Sequence, residues 1–288
     1  MNIAIMTDTN SGISIEEGRE NGIHVLPMPI IIDGRTYLEE VELTHAMLYQ
    51  ALNEGKDIST SQPSPAAVTE MWEQLLADGY DQIVYIPMTS GLSGACATAS
   101  ALALEYEGRV QVVDDRRISL TLLNAVYDAK HLAAQGMDAV QIKARLEADA
   151  DQNDIYITLH SLKRIIRTGR ITPAGAAIAA VLGIKPILKI QGGKLDAFAK
   201  ARGMKNCEAL MIEAVKKDLA TKYANVPQEK LKISTAGTFE KEADAQAWVA
   251  KVGAAFPAFQ VQYRPLSCSI ACHIGTNTQG IAVGRVER

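Results

Sequence analysis

The sequence is poor in the groups that hold nucleic acid. Aromatic residues make up only 5% of it, no block of basic residues stands out, and the net charge is −4. Nucleic-acid binding needs a basic footprint and usually stacking platforms, so a partner of that kind finds no support. Nucleotide fingerprints are missing too. No G-x-x-x-x-G-K-[ST] occurs, which excludes a P-loop, and no G-x-G-x-x-G follows a strand-like run. The longest apolar stretch, Ile171 to Ile190, is interrupted by Pro173, Gly175, Gly183, Lys185, Pro186 and Lys189, so stable membrane insertion is not expected. The run Met1 to Asp8 has neither a basic n-region nor a long apolar h-region and reads as a first buried strand. A cytoplasmic location with reduced thiols is the resulting expectation. Cys268 and Cys272, followed at once by His273, could suggest a metal site. Zinc sites want four ligands at recognisable spacing, and no second Cys/His cluster exists, so neither metal nor cofactor is expected.

What is present is an ordinary globular composition, 48% hydrophobic and 22% charged, in 288 residues. That length suits two domains or one large α/β domain. In the first half strand-like runs (Ile3 to Met6, His24 to Ile32, Gln82 to Pro87, Val110 to Val113) alternate with helix-like ones (Thr44 to Asn53, Ala95 to Tyr106, Leu120 to Ala134, Ala139 to Ala150). Ser64-Pro65 opens a further helix, with Ser as N-cap and Pro at the first helical position. Val68, Met71, Trp72, Leu75 and Leu76 give that helix an apolar face at spacings of three and four. This alternation predicts a mainly parallel sheet with helices on its faces. The second half has another rhythm: strands at Ile155 to Leu159, Leu231 to Thr235, Phe259 to Arg264 and Ile281 to Val286, and helices near Leu162 to Ile166, Asn206 to Lys222 and Lys241 to Val252. Gln191-Gly192-Gly193 between Pro186 to Ile190 and Lys194 to Ala201 signals a hairpin. The expected architecture is α/β with two α/β domains: residues 1–152 with a mainly parallel sheet, residues 153–288 mixed. Pro173 to Leu182 reads as a small-residue helix, in which Ala174, Ala176, Ala177, Ala179 and Ala180 leave either room for an apolar tail or space for close packing.

Two hydroxyl-rich loops carry the chemistry. Thr60-Ser61-Gln62-Pro63-Ser64 and Ser90-Gly91-Leu92-Ser93-Gly94 each lead into a helix. A helix N-terminus offers free N–H groups and a favourable dipole to an anion. Neither loop contains Lys or Arg, which favours a carboxylate over a polyphosphate. Ligands of open α/β sheets bind outside the carboxyl ends of the strands, where these loops should lie. Ser93, the N–H groups of Ser93 and Gly94, and the hydroxyls of Thr60 and Ser61 could all donate to a carboxylate, which accepts about four hydrogen bonds. The same serines could equally be helix caps, and from the residues both readings stay open. His273, in a loop rich in small polar residues, could donate to an anion or orient a hydroxyl. A rival reading comes from Gly91-Leu92-Ser93-Gly94-Ala95, one residue away from the G-x-S-x-G nucleophile elbow. A serine esterase would then use Ser93 and His273, with Asp244 as one available acid.

Taken in order, Thr7-Asp8, Thr60-Ser61-Gln62-Pro63-Ser64, Ser90-Gly91-Leu92-Ser93-Gly94, Gly169-Arg170-Ile171, Ile184-Lys185-Pro186-Ile187-Leu188, Lys200-Ala201-Arg202-Gly203 and His273-Ile274-Gly275 resemble the landmarks of the DegV family of fatty-acid-binding proteins, nearly end to end. The resemblance implies a two-domain α/β fold with a buried long-chain fatty acid as ligand. It implies a carboxylate held by Ser93 and by Thr60 or Ser61, with His273 and Arg202 as nearby supports. It also implies a partner, the catalytic subunit of a fatty-acid kinase, which phosphorylates the presented acid for phospholipid synthesis; the chain itself would be a lipid-binding protein, not an enzyme. A carrier of another lipid carboxylate without a kinase partner is the remaining alternative. The sequence departs from the family's His-x-Gly-Pro-Gly-Ala, reading His273-Ile274-Gly275-Thr276-Asn277-Thr278, and has Ala95 where the family usually has Thr.

Overall fold

The computed structural model describes residues 2–177, 184–190 and 193–288. The strands of the first half are β1 (Ile3–Asp8), β2 (Ile23–Leu26), β3 (Pro29–Ile32), β4 (Arg35–Leu38), β5 (Ile58–Thr60), β6 (Gln82–Ile86) and β7 (Val110–Val112). Those of the second half are β8 (Asn153–Thr158), β9 (Ile184–Ile190), β10 (Asp196–Arg202), β11 (Leu231–Gly237), β12 (Gln262–Pro265) and β13 (Gln279–Arg285). The helices are α1 (Ile15–Asn21), α2 (His45–Asn53), α3 (Pro65–Ala77), α4 (Ala95–Leu102), α5 (Ser119–Ala134), α6 (Ala139–Ala148), α7 (Lys163–Thr168), α8 (Pro173–Ala177), α9 (Met204–Ala220), α10 (Glu242–Ala255) and α11 (Cys268–Ile274).

Strands β2-β1-β6-β7 form an all-parallel sheet, and β1 is buried almost throughout, as parallel strands covered on both faces must be. The second half builds a six-stranded mixed sheet, β10-β9-β8-β13-β11-β12, in which only β11 and β12 pair in parallel. The fold is therefore α/β, parallel at the N-terminal side and mixed at the C-terminal side, as the two rhythms of the sequence predict. A third, antiparallel sheet, β4-β3-β5, was not anticipated. The expected single strand from His24 to Ile32 is in fact two, β2 and β3, in different sheets. Pro27 has no N–H to continue a ladder, and the N–H of Met28 instead donates to Thr9 Oγ1 at 3.3 Å. The small-residue helix is seen over Pro173–Ala177; its remainder, with Ala179 and Ala180, lies outside the described residues, as do Gln191 and Gly192 of the hairpin turn.

The helices follow local rules. Ser64 caps α3 by accepting from the N–H of Ala67 at 3.1 Å, and Val68, Trp72 and Leu75 turn into the core. Thr44 caps α2 in the same way. The largest apolar cluster takes side chains from both the parallel and the mixed sheet, with α5 between them. A second cluster fills the opposite face of the mixed sheet beneath α9 and α10. Among the described residues no helix is long and apolar enough to cross a membrane.

Gly237 fixes the register where β11 ends. Its carbonyl accepts from the N–H of Leu266 at 2.9 Å and from Tyr263 Oη at 3.1 Å, and a Cβ there would stand 2.6 Å from the Thr278 carbonyl oxygen. Gly237→Ala should cost about 1–3 kcal/mol as overpacking. Thermal unfolding should show a clearly lowered Tm; an unchanged Tm would contradict this close approach.

Candidate functional site

Between the two large sheets lies a cavity of about 230 Å³. Its floor is the inner face of the mixed sheet. In register across that sheet run Ile190, Ile155 and Ala282, and beside them Ile157, Gly280 and Ala236. Side chains are large on β8 and β9 and small on β11 and β13, so the floor steps down into a trough. Leu92, Leu120 and Ile270 close the other sides.

One end of this apolar space is polar, and there the predicted residues meet. Thr60, Ser61, Ser93, Gly94 and His273 all line the cavity. The two readings of the hydroxyl loops divide by residue. Ser64 is a helix cap, whereas Thr60, at the end of β5, and Ser61 turn to the cavity. Ser93 Oγ accepts from the N–H of Ala95 at 3.2 Å, which leaves its own proton available. The loops are latched together: Gln62 Nε2 donates to Thr98 Oγ1 on α4 at 3.1 Å. A Cβ on Gly94 would stand 3.0 Å from Gln62 Oε1, so the bare Cα of Gly94 admits the other loop.

His273 is not in a loop, as its neighbours suggest, but in the last turn of α11. Its Nε2 lies 2.9 Å from Thr60 Oγ1, and its Nδ1 is buried without a partner among the described residues. Burial, and secondarily the Arg170 guanidinium, depress its pKa to about 4, so the ring is neutral at pH 7. With the proton on Nε2, the imidazole donates to Thr60 and frees the Thr60 hydroxyl to donate into the cavity. Charge at this end comes from Arg170, which lines the cavity and also donates to the Thr168 carbonyl. Sequence reasoning assigns Arg170 no role beyond its place in Gly169-Arg170-Ile171. Arg202, the cation that the resemblance puts near the carboxylate, is not among the lining residues. It ends the edge strand β10, paired with Ile184 and exposed.

Helix α11 is positioned from a distance. Ser267 caps it by accepting from the N–H of Ile270 at 3.3 Å. The buried carboxylate of Glu39 accepts from the N–H groups of Cys268 and Ser269 and from Thr9 Oγ1 at 2.7 Å. Burial raises the Glu39 carboxyl above its ordinary range, against these hydrogen bonds. Asn10 Oδ1 accepts from the hydroxyls of Ser267 and Ser269. Cys268 and Cys272 face the small core under α2 and the three-stranded sheet, and burial pushes the Cys272 thiol up to about 12. Beyond the helix, Asn277 stands where the family's pattern has glycine. It takes φ +56°, and its side-chain amide donates to Glu240 at 2.6 Å. Asparagine tolerates this left-handed conformation better than most residues.

The esterase arrangement is not assembled. His273 bonds Thr60 rather than Ser93, no carboxylate among the described residues meets its Nδ1, and Asp244 is exposed on α10.

Fold and site together define an α/β protein with an apolar cavity closed at one end by hydroxyls, a neutral imidazole and a guanidinium. The family described as "Uncharacterised protein, DegV family" matches residues 2–285, and the chain belongs to that family. A DegV domain-containing protein of Deinococcus radiodurans is 34% identical over 218 residues, 75% of this chain and 77% of its own. Two solved structures are similar throughout. A DegV family protein from Thermus thermophilus, described by its fatty-acid binding, superposes with a TM-score of 0.88 at 26% identity, over 99% of this chain and 100% of that one. A fatty acid binding DegV family protein from Streptococcus agalactiae gives 0.87 at 25% identity, over 100% of both chains.

The depressed His273 has a measurable consequence. Its folded pKa of about 4 lies below the ordinary value near 6.5, so the unfolded chain binds the extra proton first. Its contribution to stability is full above about pH 6.5 and is lost as pH falls towards 4. Chemical denaturation of wild type and His273→Gln at several pH values should show a gap between the two that narrows on acidification; a pH-independent gap would refute the neutral, buried ring.

Proposed function

We propose that this protein binds a long-chain fatty acid. The observation that carries the reading is the cavity itself: apolar along most of its wall, with Thr60, Ser61, Ser93 and His273 converging at one end. Burying about a dozen methylenes contributes on the order of 10 kcal/mol before ordering costs. The tail supplies affinity and the polar end supplies orientation. A carboxylate in so apolar a place must be well hydrogen-bonded to remain ionised. Thr60, relayed from His273, and Ser93 donate from two sides, with Ser61 and the Gly94 N–H beside them, and Arg170 offsets the charge. The fatty-acid binding of the Thermus and Streptococcus relatives supports this assignment. We infer further that residues 1–152 and 153–288 act as two domains with the acid between their sheets. The head group would be presented to the catalytic subunit of a fatty-acid kinase, forming an acyl phosphate for phospholipid synthesis.

Organic extraction and mass spectrometry of the recombinant protein should recover a long-chain acid. Failure to co-purify or to take up any such acid would remove the basis of the reading. Ser93→Ala should bind the acid about tenfold more weakly, as expected for loss of a hydrogen bond to a charged group. Kinase presentation has a separate test: a fatty-acid kinase catalytic subunit with ATP should make acyl phosphate only when this chain is added.

A further inference from the structure

Among the further polar side chains in the cavity wall, Asn10 and Ser119 lack adequate partners among the described residues. Asn10 is 1% exposed and lies in a tight turn, Thr9–Ser11, just after β1. Its Oδ1 is served by two serine hydroxyls, but its Nδ2 has a single partner, Met88 Sδ at 3.2 Å. A thioether is a weak acceptor, and the second N–H of that amide bonds nothing among the described residues. Ser119 is 7% exposed and opens α5, which packs against the same turn. Its hydroxyl makes no hydrogen bond among the described residues. Its backbone sits at φ +54°, a left-handed conformation that serine seldom takes and that persists only where the surroundings impose it. Both residues line the cavity among Met28, Met88, Leu92 and Leu120. Asn10 meets α11 at Ser269, which precedes His273 by about one turn, roughly 6 Å along the helix.

Native proteins pair nearly all their buried donors, and unpaired ones call for a specific reason. We propose that Asn10 and Ser119 form a second polar station in the cavity wall, which selects long-chain acids bearing a hydroxyl or oxo group part-way along the chain. This rests on the fatty-acid reading above and adds the class of acid preferred. The free N–H of Asn10 donates to the substituent's oxygen, and the Ser119 hydroxyl donates to it or accepts from it. An unsubstituted chain leaves both groups facing methylenes. A site built to hydrogen-bond an oxygen discriminates against the analogue that lacks it more strongly than an apolar wall discriminates between chains.

The test is competition between octadecanoic acid and a series of hydroxyoctadecanoic acids on the delipidated full-length protein, read by native mass spectrometry. The wild type should prefer at least one positional isomer by about tenfold, the scale of one well-made buried hydrogen bond. Ser119→Ala should bring that ratio close to one while octadecanoic acid binds as before. Ser119→Gly, which relaxes the positive φ, should do the same and guards against a folding defect in the alanine variant. Equal binding of every isomer by the wild type, with water serving both groups, overturns the station alone. So does a preference that survives both substitutions. Failure of the wild type to bind any of these acids overturns the carrier reading and the station with it.

Discussion

A seven-residue helix cannot hold itself together in water, because nucleation is costly and few internal hydrogen bonds repay it. Helix α11 is such a helix, and the site depends on where it is held. At one end a buried glutamate, Glu39, takes the free N–H groups of its first turn, and Asn10 takes its serines. At the other, His273 meets Thr60. These anchors come from the first sixty residues and the helix from the last twenty-one, so the tie also binds the two halves of the chain at the cavity. The carboxylate of Glu39 sits at a helix N-terminus, where the dipole favours negative charge, and this offsets part of the cost of its burial.

Electrostatics at the polar end follow from the same burial. A charged imidazole next to Arg170 in an apolar wall would be costly, so the ring is neutral and acts through a hydroxyl rather than through charge. This explains how loops devoid of Lys and Arg can suit an anion. The hydroxyls give direction, and the guanidinium that lines the cavity among the described residues comes from the chain after α7 rather than from either loop.

Local chemistry was legible in the sequence, and distant pairing was not. The start of α3 could be read from Ser64-Pro65, and the parallel sheet from the alternation of apolar runs, because each signal lies within a few residues. Strand β5 has three residues and no pattern of its own; it exists because Thr60 and Ile58 pair with Ile30 and Ile32. Helix α11 is rich in Cys and Ser, poor helix formers, and its decisive cap comes from Glu39, more than two hundred residues away. The structure therefore brings His273 to Thr60 from a helix, where its small polar neighbours suggest a loop. For Arg202 and Arg170 the sequence offered two cations in two landmarks. Only the edge position of β10 and the turn at Gly169 decide which one lines the cavity.

The trough between the sheets also bears on the protein's thermodynamics. Left unfilled, a space of about 230 Å³ inside the largest apolar cluster would cost on the order of 5 kcal/mol, at about 24 cal/mol per Å³. That is comparable with the whole stability of many domains. An acyl chain filling the trough would therefore complete the core, and unfolding would be linked to the concentration of its cargo by mass action. Such a protein does not shed its ligand cheaply into water. On the fatty-acid reading proposed above, transfer would go most readily to a receiver that takes the chain while it is still in place.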